Sequence, residues 1–121
     1  MSNQSDLPKT VLIPGASAGI GKELAHVFAR HQFDVILVAR RQDKLEAVAA
    51  DIKQRYGQMA YVLTENLADP AAPQRIFDWC QEHKLAVDAL VNNAGYALHS
   101  EFLEASWQSH LDFMQVLNIS V

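Results

Sequence analysis

The sequence is short of several things, and each shortage removes a class of protein. Cys80 is the only cysteine, so no internal disulfide framework can staple the chain, and a reducing compartment suits it. No apolar run approaches the roughly 18 residues a membrane-spanning helix needs. Residues 1–9 are polar and lack the apolar centre of a secretory leader. No long run of Lys or Arg exists and the net charge is −4, which argues against a nucleic-acid backbone as partner. His26, His31, His83, His99 and His110 do not fall at metal-ligand spacing, so no metal site is expected. Five glycines and four prolines exclude collagen-like and low-complexity chains. Lys and Arg are also missing from one end: all 10 lie within residues 1–84. The segment 85–121 carries only Asp88, Glu101, Glu104 and Asp112 as charges. These shortages together predict a cytoplasmic protein that meets neither membrane nor nucleic acid.

What is present is a globular chain of 121 residues, 50% hydrophobic and 20% charged. That is enough for one domain with its own core. Val11-Leu12-Ile13 is a short apolar run closed by Pro14-Gly15, and it reads as a strand buried on both faces. Ile20, Leu24, Val27, Phe28 and His31 follow at helical spacing. A second strand over Val35 to Ala39 precedes a helix with Leu45, Val48, Ala49, Ile52 and Tyr56 on one face and Gly57 at its end. Ala60 to Leu63 is a third strand. Asp69 and Pro70 are expected as N-cap and first residue of a helix carrying Ile76, Phe77 and Cys80. Ala89-Leu90-Val91 is a fourth strand, and Trp107, Leu111, Met114 and Val121 suggest a further helical face. Strands alternating with helices predict βαβ units. The expected architecture is α/β: a Rossmann-type doubly wound parallel sheet in three layers, incomplete at its C-terminal side. Residues 1–8 read as a flexible tail and 9–121 as a nucleotide-binding domain.

Gly15, Gly19 and Gly21 stand between the first strand and the first helix. In that position a side chain at Gly15 would resist the turn, one at Gly19 would hold off a pyrophosphate, and one at Gly21 would keep the helix away from the sheet. The free N–H groups of the helix start, from Gly19 to Lys22, then face an anion. A P-loop is excluded, because Gly21-Lys22 is followed by Glu23 rather than Ser or Thr.

Gly15-Ala16-Ser17-Ala18-Gly19-Ile20-Gly21 resembles the glycine motif of the short-chain dehydrogenase/reductase family, and Asn92-Asn93-Ala94-Gly95 is similar to that family's second motif. The resemblance runs from about residue 9 to 121. It implies an oxidoreductase that moves hydride between a nicotinamide and a carbonyl or alcohol substrate. It also implies cofactor contacts from Gly15, Ser17, Ala18, Gly19, Ile20 and Gly21, and from Asn93, Ala94 and Gly95 on the ribose and nicotinamide side. Pro14 departs from the pattern, which usually has Thr there.

After the second strand comes Ala39-Arg40-Arg41. An NAD site in this architecture uses an acid at that point for the ribose 2′-OH. Arg40 and Arg41 offer no such acid, and a guanidinium can grip a 2′-phosphate with forked bonds. NADP(H) is therefore expected rather than NAD(H). Asn66-Leu67 stands where the family has an Asp-Leu pair against the adenine; the Asn66 amide can both donate and accept.

The family's proton donor is Tyr in a Tyr-x-x-x-Lys pair. Ala60, Glu65 and Ser100 stand four residues after Tyr56, Tyr61 and Tyr96, so none of these qualifies. The resemblance places that pair and its Ser beyond residue 121. Of the family's catalytic set only Asn118 is expected here, on a helix. The chain is thus expected to be a truncated, inactive cofactor half whose fourth strand is left as an edge, and whose full-length form is a homodimer or homotetramer. The other reading of the same motifs is a stand-alone NADP(H)-binding or regulatory module without catalysis.

Overall fold

A computed structural model describes residues 9–93 and 115–119. The elements run β1 (Lys9–Pro14), α1 (Gly19–Arg30), β2 (Phe33–Ala39), α2 (Gln42–Tyr56), β3 (Ala60–Thr64), α3 (Ala72–Glu82), β4 (Ala89–Asn93) and β5 (Gln115–Ile119). Five strands form one sheet in the order β3-β2-β1-β4-β5, with every neighbouring pair parallel. The chain winds outward from β1 through β2 to β3 and then returns to the other side of β1. That reversal opens a crevice at the carboxyl ends of β1 and β4, where ligands of open α/β sheets bind.

Strand side chains alternate between two cores. Val11, Ile13, Val35, Leu37 and Val91 point to one face, where Ala25, Ala29, Leu45, Val48 and Ile52 from α1 and α2 cover them. Leu12, Ile36, Val38 and Leu90 point to the other, against Leu67, Ile76, Phe77 and Cys80. Both faces are dry, as the continuous apolar runs of the strands anticipate.

The helices obey the sequence pattern unevenly. The whole expected face of α2 packs inward, with Leu45, Val48, Ala49 and Ile52 buried and Tyr56 half-buried. Gly57 ends α2 in the left-handed region at φ 71°. In α1 the buried face is instead Gly21, Ala25 and Ala29, flanked by half-buried Leu24 and Phe28, while Ile20 and Val27 are exposed. Small residues at four-residue spacing let this helix lie close to the sheet, so its larger apolar side chains end up on the flanks. α3 begins at Ala72, later than Asp69-Pro70 suggests. Asp69 caps a turn, accepting the Ala71 N–H at 2.9 Å, and Pro73 takes the early helical place expected of Pro70.

β1 and β4 are joined before their ladder begins. The Asp88 N–H donates to the Thr10 carbonyl at 2.8 Å, and the Thr10 N–H donates to Asp88 Oδ2 at 2.8 Å. Pro14 is harmless at the end of β1, because the Val38 carbonyl accepts from the Gly15 N–H at 2.7 Å and from Ala16 at 3.3 Å.

Two expectations fail at the far side of the sheet. Residues 115–119 are a strand and not part of a helix, and β4 is not an edge, since β5 pairs with it from Ala89↔Gln115 to Asn93↔Ile119. Val116, Leu117 and Ile119 suit either conformation by pattern alone. The free N–H and C=O groups along β4 favour the strand, because pairing satisfies them. The expected helical residues Trp107, Leu111, Met114 and Val121, and the expected tail 1–8, lie outside the described residues.

Cys80 is buried, and burial pushes its thiol up to about 12. The thiolate is the reacting form. Native protein at pH 8 should therefore react with a disulfide reagent only as fast as it opens, and the reaction should become fast in denaturing urea. Immediate stoichiometric labelling of the native protein would contradict the packing of α3.

Candidate functional site

The glycine loop is the turn between β1 and α1. Gly15 and Gly19 have φ of 72° and 60°, in the left-handed region where a side chain is strained. Gly21 is required for a different reason. A Cβ there would run into the Gly15 carbonyl oxygen, lie 2.8 Å from its carbonyl carbon and 3.2 Å from Ala16 Cα. All three glycines are thus explained by backbone geometry. At Gly19 a Cβ would meet nothing within 4 Å, so its direction is open space. Ala18 is the N-cap of α1 and supplies no capping side chain. The Lys22 N–H bonds to the Ala18 carbonyl at 3.4 Å, which leaves the N–H groups of Gly19, Ile20 and Gly21 as the first-turn donors.

Two open pockets meet at Ser17. One of about 520 Å³ is lined by Ser17, Ala39, Arg40, Arg41, Asn66, Leu67 and Ala68. It brings together the expected residues of three separate loops, those after β1, β2 and β3. The other, about 530 Å³, is lined by Ser17, Ala18, Gly19, Lys22, Lys44, Ala47, Val48 and Asp51. The Lys22 side chain and Lys44 are not among the residues expected from the sequence, which named only the Lys22 N–H. Their signal was available: Lys22 follows the last loop glycine, and Lys44 lies one helical turn after Arg40 and Arg41.

The two arginines are not equivalent. Arg41 Nη2 stands 3.5 Å from Asp43 Oδ2, both largely exposed. The Asp43 carboxyl is held below the usual range, first by the Lys44 N–H and further by Arg41. No ion pair engages Arg40 among the described residues, and no carboxylate lines the pocket into which it is set. The guanidinium most available to an anion is therefore that of Arg40.

Asn66 is both a turn residue and a pocket residue. Its Oδ1 accepts the Ala68 N–H at 3.0 Å, and the amide NH₂ has no hydrogen-bond partner among the described residues. Leu67 is buried in the α3-side core and closes the pocket floor. Behind this loop Arg75 bonds Glu65 with Nε at 3.1 Å to each oxygen and Nη2 at 2.7 Å to Oε1, and it reaches Asp69 Oδ2 at 3.1 Å. The Arg75 guanidinium is held above its ordinary value, by Glu65 first and then Asp69.

Asn93 ends β4 and Asn118 lies in β5, paired in register with Asn92. Asn118 is therefore carried by a strand, not by the expected helix, at the same end of the sheet as the glycine loop. Ala94 and Gly95 lie outside the described residues. Among the described residues no helix is long and apolar enough to cross a membrane.

A parallel sheet wound in this order, with an uncapped glycine turn at its reversal point, defines a Rossmann-type doubly wound α/β protein. Comparison with known proteins makes the class specific. The model of the short chain dehydrogenase family matches residues 9–121, and the chain belongs to that family. It is 37% identical over 111 residues to a very-long-chain 3-oxoacyl-CoA reductase of Phaeosphaeria nodorum, covering 87% of this chain and 32% of the relative. It is 34% identical over 107 residues to a serine 3-dehydrogenase of Agrobacterium fabrum, covering 85% and 41%. Among solved structures, L-sorbose reductase from Gluconobacter frateurii, complexed with NADPH and L-sorbose, superposes with a TM-score of 0.68 at 31% identity, over 72% of this chain and 33% of that one. The chain thus spans a third to two fifths of the length of these relatives.

Gly21→Ala should cost about 1–3 kcal/mol or more, since the obstacle is backbone and cannot swing aside. A lowered urea midpoint is the check, and an unchanged midpoint would refute the close approach. Acid tests the loop after β3. The Asp69 carboxyl is held below the usual range by the Ala71 N–H and then by Arg75. A depressed carboxyl stabilises above its unfolded pKa of about 4 and loses that contribution as pH falls through the folded value. Asp69→Asn should therefore flatten the loss of stability below about pH 4, as pH falls from the unfolded value through the folded one, in urea titrations.

Proposed function

We propose that this chain is the NADP(H)-binding part of an oxidoreductase that interconverts a carbonyl and an alcohol. The observation that carries the cofactor choice is Arg40, without an ion-pair partner among the described residues, lining a pocket that contains no carboxylate. The glycine loop fits the cofactor's diphosphate on grounds of its own: the open side of Gly19 and the unsatisfied N–H groups of Gly19, Ile20 and Gly21 suit an anion at a helix N-terminus.

When bound, the nicotinamide cofactor supplies the hydride. The residues of this chain bind and orient. Gly15, Gly19 and Gly21 shape the loop, Ser17 and Ala18 stand at its outer wall, and Ile20 opens the helix. Arg40 holds the 2′-phosphate, with Arg41 as a second cation partly neutralised by Asp43. Asn66 and Leu67 form the adenine wall, with the Asn66 amide donating. By the family resemblance, Asn93, Ala94 and Gly95 would border the ribose and nicotinamide side of the cofactor. Asn118, level with Asn92 at the carboxyl end of β5, is the residue of this chain nearest the catalytic role the family resemblance gives it, that of keeping a water in place. The substrate is a small carbonyl or alcohol compound, and the complete protein a dimer or tetramer. The NADPH held by L-sorbose reductase supports the cofactor assignment, since that protein shares this fold at 31% identity.

One charge-assisted bond from Arg40 is worth about 1.5–3 kcal/mol, or roughly ten- to a hundredfold in affinity. Arg40→Glu in the complete gene product should weaken NADPH binding by at least about tenfold more than NADH binding, measured by cofactor fluorescence. An equal fall for both cofactors would remove Arg40 from this role.

A further inference from the structure

The loop that carries Asn66 and Leu67 is held by a side chain outside the pocket. Glu65, the residue directly after β3, has a side chain only 12% exposed, and its N–H extends the ladder to the Ala39 carbonyl at 2.9 Å. Asp69 closes the other end of the loop. Its N–H donates to the Asn66 carbonyl at 3.0 Å, and its own carbonyl accepts from Ala72 at 3.0 Å. Arg75, from the first turns of α3, bonds the carboxylates at both ends at once, with Glu65 in a forked arrangement. The three residues between Glu65 and Asp69 are Asn66, Leu67 and Ala68, and all three line the pocket.

We propose that Arg75 is a positioning residue for the adenosine half of the cofactor: with Glu65 and Asp69 it clamps the ends of the loop 65–69 so that Asn66 and Leu67 form a fixed wall. This inference rests on the reading of the pocket given above. The clamp is asymmetric in its consequences. Asp69 is well exposed and can take water in place of Arg75. Glu65 is nearly enclosed, and without Arg75 its carboxylate is left short of partners and must turn outward to be solvated. That movement starts one residue before Asn66 and next to Ala39, which also lines the pocket. A planar fork reaching two carboxylates is work for Arg; Lys offers only a point charge.

Variants of the complete gene product test this with adenosine 2′,5′-bisphosphate as probe, which is the adenosine half of NADP without the nicotinamide. Arg75→Met should weaken binding of the bisphosphate and of NADPH by the same factor, about two- to fivefold, as expected when a partly exposed charge network is lost. The preference for NADPH over NADH should not change, because Arg40 sets it. Arg75→Lys should recover part of the loss. Adding Glu65→Gln to Arg75→Met should cost little more, since the two act as one unit. Arg75→Met that binds the bisphosphate as tightly as the wild type overturns the clamp, even if its melting temperature drops. If that happens while Arg40→Glu still discriminates between the cofactors, the clamp alone falls. If the wild type binds neither the bisphosphate nor NADPH, the reading of the pocket falls with it.

Discussion

Everything at the carboxyl end of this sheet depends on how closely α1 can approach the turn that precedes it. The place of Cβ on Gly21 is already taken by the Gly15 carbonyl. Ala25 and Ala29 continue the same small-residue stripe down the helix. A helix set this low brings its first-turn N–H groups level with the strand ends, where they meet the crevice instead of standing above it. The two pockets share Ser17 because the loop is this tight: the turn is a thin partition with open space on each side. A helix with a bulky inner face would have to ride higher, and its terminal donors would face solvent.

Electrostatics build on that geometry. The chain carries net charge −4, yet Lys22, Arg40, Arg41 and Lys44 gather around the loop and the start of α2. Two acids temper the cluster. Asp43 turns to Arg41, and Asp51, on the rim of the second pocket, pairs with Arg55 at 3.0 Å and stands 3.5 Å from His26. Lys22, Arg40 and Lys44 are left without an ion-pair partner among the described residues. Under the proposed function, a cofactor with two separated phosphate groups would meet the α1 start with one and Arg40 with the other.

The sequence made most of this legible because the signals were local. Val11 to Ile13 and Val35 to Ala39 have no polar face, so a doubly covered parallel sheet followed. The glycine spacing placed the loop, and Ala39-Arg40-Arg41 located the pocket's charged wall before the pocket could be seen. Reading failed where the outcome depended on neighbours distant in the chain. Val116, Leu117 and Ile119 were compatible with helix or strand, and the bare edge of β4 decided it, which moved Asn118 onto a strand. Ile20 and Val27 suggested an inward face that Gly21, Ala25 and Ala29 take, because closeness to the sheet outweighs side-chain bulk there. The Glu65–Arg75 pair carries no motif. It becomes visible only once the loop after β3 folds back against α3.

The exchange between Thr10 and Asp88 has a consequence for alignment. In a parallel pair built from Val, Leu and Ala, a shift of two residues keeps every side chain on its proper face, so packing alone opposes it weakly. Asp88 breaks that degeneracy. Its carboxylate and its own N–H engage one residue of β1, and no other residue near the start of β4 offers the same combination. The strand is indexed at its foot, as a ruler is set against a stop. Its far end then arrives at a fixed height beside the glycine turn, and a two-residue slip would lift or drop Asn92 and Asn93 by about 7 Å relative to it.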